Sequence, residues 1–453
     1  MSRTVERALQ YHRAGFFKLA IDWYDKALEE HPGNVNLVGN RAENYIKVGR
    51  FDEAISDYQV VLAVQPNNEA IWVNFGLALQ CSGNYDAAVV AYDRAIEISD
   101  SNPFAYFNKG ICLERDLGRT GEGVPLFKKA LELDPDFHNA TGGLSFNRLI
   151  TGNFIEGWRD FEYRNKNMLT RFPGLMWDGA QTDDTLILVA EQGIGDVLQF
   201  SRYAKVAVEN GQRTAIYAPQ EFWPLLRSLD ERIGLMSEPS QVKEPYQWMP
   251  LMSMPRMLGT TVETIPAWPR YLKSSTDRIV HWHDQMRPWQ HKFKIGICWH
   301  PGHPHNPHVA GRVLNLDWFA DIAAIPGVQL FSLQKDEASR AIADVSFDVI
   351  DLGGDPVPRR DTMMDAAAII EHLDLVISTD SSPLHLAGAV GCRTFAALPK
   401  GGCWRWLLDR TDTPWYPSMT LYRQKIVHDW PEVFGRMEAS IRVLADAKYK
   451  ALT

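Results

Sequence analysis

One period governs the first third of the chain: equivalent residues return every 34 positions. Pro32 and Pro66 are 34 residues apart, Asp100 holds the next corresponding position, and Pro135 follows after 35, which marks a one-residue insertion in the fourth unit. Small residues recur at Ala8, Ala42, Gly76 and Gly110, and glycines at Gly15, Gly49, Gly83 and Gly152. A second small set is Ala20, Ala54, Ala88, Gly123 and Gly157, followed by aromatics at Tyr24, Tyr58, Tyr92, Phe127 and Phe161. A period of this length marks a stack of short units that bury their apolar faces against one another, a quasi-one-dimensional solenoid.

These positions resemble the tetratricopeptide repeat, in which small residues let two antiparallel helices approach and the aromatic fills the gap to the next unit. The spacing places repeats at 1–34, 35–68, 69–102, 103–137 and a shorter fifth at 138–167. Such a stack forms a right-handed solenoid with a concave face suited to an extended chain. On the first helices of three successive repeats, Asn40, Asn74 and Asn108 recur at intervals of 34. Their amides both donate and accept, which suits sequence-tolerant gripping of a peptide backbone, although asparagine is also a common filler on a solvated helix face.

The length of 453 residues gives a prior of about three domains. A net charge of -9 repels phosphate backbones and anionic lipid, so nucleic acid is not an expected partner. Five scattered cysteines without a C-x-x-C pair argue against a disulfide framework or a zinc site and for a reducing compartment. No run of 18 apolar residues appears, and the charged start MSRTVERALQ lacks the apolar core of a signal peptide, so the expectation is a cytoplasmic protein without a transmembrane segment.

The helical period stops at 168–182, where Pro173, Gly174 and Gly179 suggest a linker. From Thr185 short apolar runs (LILVA, TAIYA) alternate with helical stretches, and a second cycle starts at KIGICW and continues through VQLFSL, FDVID, LDLVIS and TFAAL. That alternation predicts two units of parallel sheet covered by helices, at 183–288 and 289–453, with a cleft between them; the last helix, near 433–447, can pack on either.

Two segments carry chemistry. EQGIGDVLQFSRY (191–203) follows the first strand, so Gly193 and Gly195 lie at a strand's carboxyl end, where open α/β sheets place ligands. Asp196 opens the next helix, either as a proton acceptor for an attacking hydroxyl or as a helix cap. In STDSSPLHLAGAVG (378–391) a strand ends at Asp380, Ser381 and Ser382, with Ser382 read as the cap and Pro383 as the first helical residue. Free N–H groups, hydroxyls and the helix dipole there suit a phosphate, and Gly388 permits close approach of a ligand or the sheet. His385 either donates to a phosphate or satisfies a buried contact.

EQGIGDVLQF, LDLVISTDSSPLHLAGAVG, CWRWLLDRTDTPWYP and LYRQ together resemble the bacterial heptosyltransferase family of glycosyltransferases, in the branch fused to tetratricopeptide repeats, over about 175–450. The resemblance implies an all-α repeat solenoid followed by an α/β GT-B fold of two Rossmann-like domains. The first would take the acceptor and the second the nucleotide sugar, without a metal or a cofactor beyond the donor. It implies that Asp196 is the catalytic base and that Asp380, Ser381, His385 and Leu386 match the family's phosphate motif, serine replacing threonine. The layout is also similar to O-linked N-acetylglucosamine transferase and to bacterial flagellin glycosyltransferases, in the first of which an asparagine ladder holds the acceptor peptide.

One loop departs from the family: HPGHPHNPHVAGR (300–312) keeps only Arg312 of the usual basic character. Its histidines, His300, His303, His305 and His308, are interrupted by prolines that preclude a helical ligand face, and a solvated loop is the expectation. Lys335 and Arg405 are reserve phosphate partners, while Trp404, Trp406 and Trp415 are expected in the core. Asp183 and Asp184 precede the first strand, away from the cleft. The expected activity is inverting, metal-independent transfer of a sugar to a serine or threonine of a protein held by the repeats, flagellin being one such acceptor. The alternatives are a lipid or saccharide acceptor, or a repeat scaffold whose transferase half has lost catalysis.

Overall fold

The computed structural model describes residues 2–167, 172–241, 245–302, 311–352 and 362–452. The chain divides into two compact units, one running to Asn147 and taking in Lys400–Gly402, the other starting at Arg148.

The first unit is a run of helical hairpins: α1 (Arg3–Arg13) with α2 (Phe17–Glu30), α3 (Val35–Lys47) with α4 (Phe51–Val64), α5 (Glu69–Cys81) with α6 (Tyr85–Ile98), and α7 (Pro103–Ile111) with α8 (Val124–Leu133). Helix α9 (His138–Ile150) opens the fifth hairpin and α10 (Phe154–Phe161) closes it. Asn34, Asn68 and Asn102, again 34 apart, accept backbone N–H bonds as the caps of α3, α5 and α7. Gly15, Gly49, Gly83 and Gly152 turn each hairpin at φ between +78° and +86°, a region that favours glycine.

The recurring small and aromatic residues meet as their spacing implied. A Cβ on Gly76 would stand 2.6 Å from the Tyr92 ring, and Cβ atoms on Gly110 and Gly143 would stand 2.5 and 2.6 Å from Phe127. Phe127 therefore fills the gap between its own repeat and the next, and Tyr24, Tyr92 and Phe127 are fully buried. The inserted residue of the fourth unit is absorbed by a π-helical turn at Cys112–Asp116, the wider ring that one extra residue produces. Beyond it the turn glycine arrives one residue late, at Gly118 (φ +63°). Glu114, buried in the π-turn, accepts from the N–H groups of Gly121 (2.7 Å) and Gly123 (2.9 Å) and from Asn147 Nδ2 (3.0 Å).

The second unit holds two parallel sheets. The first contains β1 (Leu175–Met176), β2 (Thr185–Val189), β3 (Thr214–Tyr217), β4 (Gly234–Met236) and β5 (Tyr246–Pro250), in the order β1-β5-β2-β3-β4. Its helices are α11 (Ile194–Phe200), α12 (Arg202–Glu209), α13 (Trp223–Leu226) and α14 (Met254–Met257), after which α15 (Thr276–Gln285) packs toward the second sheet's helices, where Arg278 and Trp282 bond to Asp365. The second contains β6 (Phe293–Cys298), β7 (Val328–Ser332), β8 (Val349–Asp351), β9 (Leu375–Thr379), β10 (Thr394–Leu398) and β11 (Met419–Arg423), in the order β11-β10-β9-β6-β7-β8. With it go α16 (Ala320–Ala323), α17 (Thr362–Glu371), α18 (Ser382–Ala389) and α19 (Trp430–Leu452). The terminal helix α19 packs on the second sheet through Val433, Phe434, Met437, Ile441 and Ala445, which settles its place.

Two boundaries differ from the sequence reading. Compactness divides the chain at Asn147, not 167, because α10 belongs with the sheets: Trp158 is 1% exposed, with its ring centroid 5.1 Å from Trp404 and 6.3 Å from Phe200. The expected linker at 168–182 is also part of the fold. There Leu175 and Met176 add an edge strand beside Gln247 and Trp248, and Phe172 and Trp177 are buried.

Candidate functional site

In each sheet the chain builds strands outward on one side of a first strand and then returns to its other side. The switch lies between β2 and β5 in the first sheet and between β6 and β9 in the second. Open α/β sheets bind ligands at the carboxyl ends of strands flanking such a switch. Both chemistry-bearing segments stand there, EQGIGD directly after β2 and DSS directly after β9.

After β2 the loop is held by Glu191, which sequence reading passed over. Its buried carboxylate takes Arg164 Nε at 3.0 Å and Nη2 at 2.9 Å, and the Met252 N–H at 3.0 Å. Arg164 also donates to Ser253 Oγ at 2.9 Å and lies over the Phe161 ring. So anchored, the chain passes through Gln192 at φ +61°, unusual for a residue with a side chain, and enters α11 at Gly193. Glu191 stands in the quoted motif, but nothing in the sequence pairs it with Arg164, 27 residues upstream.

Asp196 caps this helix. Its Oδ2 accepts the Gly193 N–H at 2.9 Å, the reach-back half of a capping box, and its Oδ1 is paired with Arg405 Nη2. Arg405 does not stand as an unattached phosphate partner. It donates through Nε to Gln199 Oε1 (2.6 Å) and through Nη1 to Cys403 Sγ (3.1 Å), and lies 4.3 Å from the Trp404 ring centroid. Gly195 is needed for close approach, since a Cβ there would meet His385 Cδ2 at 2.7 Å, where α11 packs against α18.

After β9 the helix cap is Ser381, one residue earlier than expected, so Ser382 and Pro383 occupy the first turn of α18. The Ser381 hydroxyl turns to Ser378 Oγ (3.0 Å) and makes no capping bond; Pro383 has no N–H, the Leu384 and His385 N–H groups bond to the Ser381 carbonyl (3.1 and 3.4 Å), and the Ser382 N–H is left to another partner. Asp380, 5% exposed, lies 3.5 Å from Arg312 Nη1, which also donates to the Asp380 carbonyl at 3.1 Å. Gly388 does not face a ligand: the space beside it belongs to Tyr416, whose ring a Cβ would meet at 2.4 Å. Lys335 is exposed just beyond β7, and no contact among the described residues joins it to the cluster.

His385 is buried, stacked on Trp406 at 5.5 Å and bonded through Nδ1 to the Tyr416 hydroxyl at 2.9 Å. Burial, with the Arg405 charge next in weight, lowers its pKa from 6.5 to about 4, against the opposing pull of Asp380 and Asp196. The ring is therefore neutral near pH 7. Unfolded, the ring takes a proton near pH 6.5, so this contribution to stability is complete above that pH and is lost as pH falls toward about 4. We expect wild-type stability relative to His385→Gln to fall by ~3 kcal/mol across that window in denaturant titrations; equal pH slopes for the two would contradict it.

The expected core tryptophans Trp404, Trp406 and Trp415 are buried. Asp184 lies at the amino end of β2, where its carboxylate accepts from Gln247 Nε2 (3.2 Å), far along the strand from Gly193. Asn40, Asn74 and Asn108 are half-buried on α3, α5 and α7, and their side chains make no hydrogen bond among the described residues. His303, His305 and His308 lie outside the described residues; His300 is half-buried and receives the Gly302 N–H at 3.2 Å. Among the described residues no helix is long and apolar enough to cross a membrane.

The tetratricopeptide-repeat family matches residues 40–103 and 74–137. Among curated proteins the chain is similar to protein FlbA of Caulobacter vibrioides, 24% identical over 331 residues. That alignment covers 66% of this chain and 54% of FlbA, so the chain spans about half the length of this relative. Among solved structures it is similar to PilW, a type IV pilus biogenesis factor, at 21% identity over 46% of this chain and 84% of that one (TM-score 0.35). A thermophilic repeat protein of Thermus thermophilus matches at 17% identity over 37% and 91% (TM-score 0.33). The N-terminal part is thus a tetratricopeptide-repeat region, followed by parallel-sheet α/β structure.

Proposed function

We propose that the α/β unit is a GT-B glycosyltransferase that moves a sugar from a nucleotide-activated donor to a serine or threonine hydroxyl of a protein held by the repeats. The observation that carries this reading is the gathering of hydrogen-bond donors, two arginines among them, at the two switch points. Arg312 and Arg405 stand there, paired with Asp380 and Asp196, beside the start of α18 and a neutral histidine. The fully buried Gln199 Nε2 and Trp406 Nε1 have no partner among the described residues, and both are donors. A site with unengaged donors beside arginines suits an acceptor-rich anion, as the diphosphate of a sugar donor is.

In the reaction the acceptor oxygen bonds to the anomeric carbon as the bond from that carbon to the phosphate oxygen breaks. The phosphate leaves with the electron pair and Asp196 takes the hydroxyl proton. Charge developing on the phosphate is met at the start of α18, where the donors are already in place. The unpartnered amides of Asn40, Asn74 and Asn108 support a peptide acceptor, of which flagellin is one candidate.

Binding is tested by thermal denaturation with UDP, GDP, ADP, CMP and their common sugar conjugates. A ligand at about 100 times its dissociation constant adds about 2.7 kcal/mol to the stability of the state that binds it. One nucleotide series should raise the melting temperature of the wild type and raise it less in Arg312→Gln. No shift with any nucleotide would contradict the reading.

A further inference from the structure

Both carboxylate oxygens of Asp196 are already engaged. One carboxylate oxygen holds the Gly193 N–H and the other is paired with the Arg405 guanidinium, and both side chains are largely withdrawn from solvent. Arg405 reaches it from the segment Trp404–Trp406 of the second sheet, which also carries Trp406 against His385 and so adjoins the start of α18. The guanidinium has five N–H groups, and the bonds to Gln199, Cys403 and Asp196 engage three of them. A planar fork of this kind donates to two phosphate oxygens as readily as to a carboxylate.

Resting on the reading above, we propose that Arg405 is a positioning residue that exchanges partners, leaving Asp196 for the donor's phosphate and thereby freeing the base only when donor is bound. In the empty site the ion pair keeps Asp196 inert. Donor phosphate at the start of α18 competes with the carboxylate for the guanidinium, and Oδ1 then becomes available to the acceptor hydroxyl. Gln199 keeps the guanidinium's Nε–H through the exchange and so fixes the pivot. The Gly193 N–H stays on Oδ2, so the carboxylate holds its orientation on α11 throughout. The consequence is an obligatory order, donor before acceptor.

The exchange makes Asp196 an internal competitor of the donor, which gives it an unusual signature: removing the proposed base should tighten nucleotide binding. In Asp196→Asn the single amide oxygen cannot serve both Gly193 N–H and Arg405, and the NH2 group repels the guanidinium. Asp196→Ser keeps a hydroxyl acceptor for the Gly193 N–H without the charge and guards against a folding defect in the first variant.

Titration calorimetry of the full chain with UDP, GDP, ADP and CMP should show both variants binding the preferred nucleotide at least about tenfold more tightly than wild type. Arg405→Gln should bind it at least about tenfold more weakly. Measurable binding that is unchanged or weakened in both Asp196 variants overturns the exchange while leaving glycosyl transfer standing. Absence of binding to the wild type and to every variant overturns the transferase reading itself, and the exchange with it.

Discussion

Arg202→Met is expected to cost the α/β unit roughly 3–5 kcal/mol, the largest effect of a single side chain away from the chemistry. Arg202 is fully buried at the start of α12. Its Nε donates to the Gln199 carbonyl (2.7 Å), Nη1 to the carbonyls of Trp415 (2.7 Å) and Pro266 (3.2 Å), and Nη2 to the Tyr271 hydroxyl (2.9 Å). The guanidinium carbon sits 4.6 Å from the Tyr271 ring centroid and 4.8 Å from that of Tyr416. One side chain thus ties the end of α11, the segment between the sheets and the loop before β11 to one another.

Methionine fills much of the volume but leaves three carbonyls and a hydroxyl without donors, all but the Pro266 carbonyl in buried contacts. It also frees Tyr416, on which His385 depends for its Nδ1 bond. Denaturant unfolding followed by tryptophan fluorescence, to which Trp404 and Trp415 contribute among fifteen tryptophans, is the measurement. A loss below about 1 kcal/mol would show that the carbonyls find other partners and that Arg202 does not hold the two sheets' helix starts together.

The second large effect is on transfer. Asp196→Asn keeps an acceptor for the Gly193 N–H but loses the Arg405 ion pair, so transfer is compared at a temperature well below the variant's own melting temperature. Transfer should fall by about 10²–10⁴, the usual worth of a positioned general base. Asparagine retains the geometry but has no basic lone pair to receive the hydroxyl proton. Should turnover stay within a few-fold of wild type, Asp196 is only the helix cap and ion-pair partner that its contacts in the empty site describe.

The sequence carried the repeat region almost completely, because each structural requirement there recurs. Gly76 against Tyr92 and Gly110 against Phe127 are the same contact met twice, and the 35-residue step appears in the fold as the π-turn at Cys112–Asp116. The alternation of apolar runs likewise announced two parallel sheets and put both motifs at carboxyl ends of strands. What stayed hidden depends on residues far apart in the chain. Glu191 meets Arg164, Asp196 meets Arg405 and Gly388 meets Tyr416, and no local period encodes any of these pairs. The linker was misread for a related reason: Phe172 and Trp177 lie among turn residues, and only pairing with β5 makes an edge strand of that stretch.

The most direct test of the central claim is turnover. The full chain is incubated with UDP-, GDP-, ADP- and CMP-linked sugars and a serine- and threonine-rich acceptor protein such as flagellin, and intact mass and released nucleotide are followed together. The account predicts one donor class, a mass increment of one sugar residue on the acceptor, stoichiometric release of the nucleotide, and loss of both signals in Asp196→Asn. Nucleotide released onto a lipid or saccharide acceptor, with the protein unmodified, would contradict the acceptor. No release from any donor would contradict the enzyme.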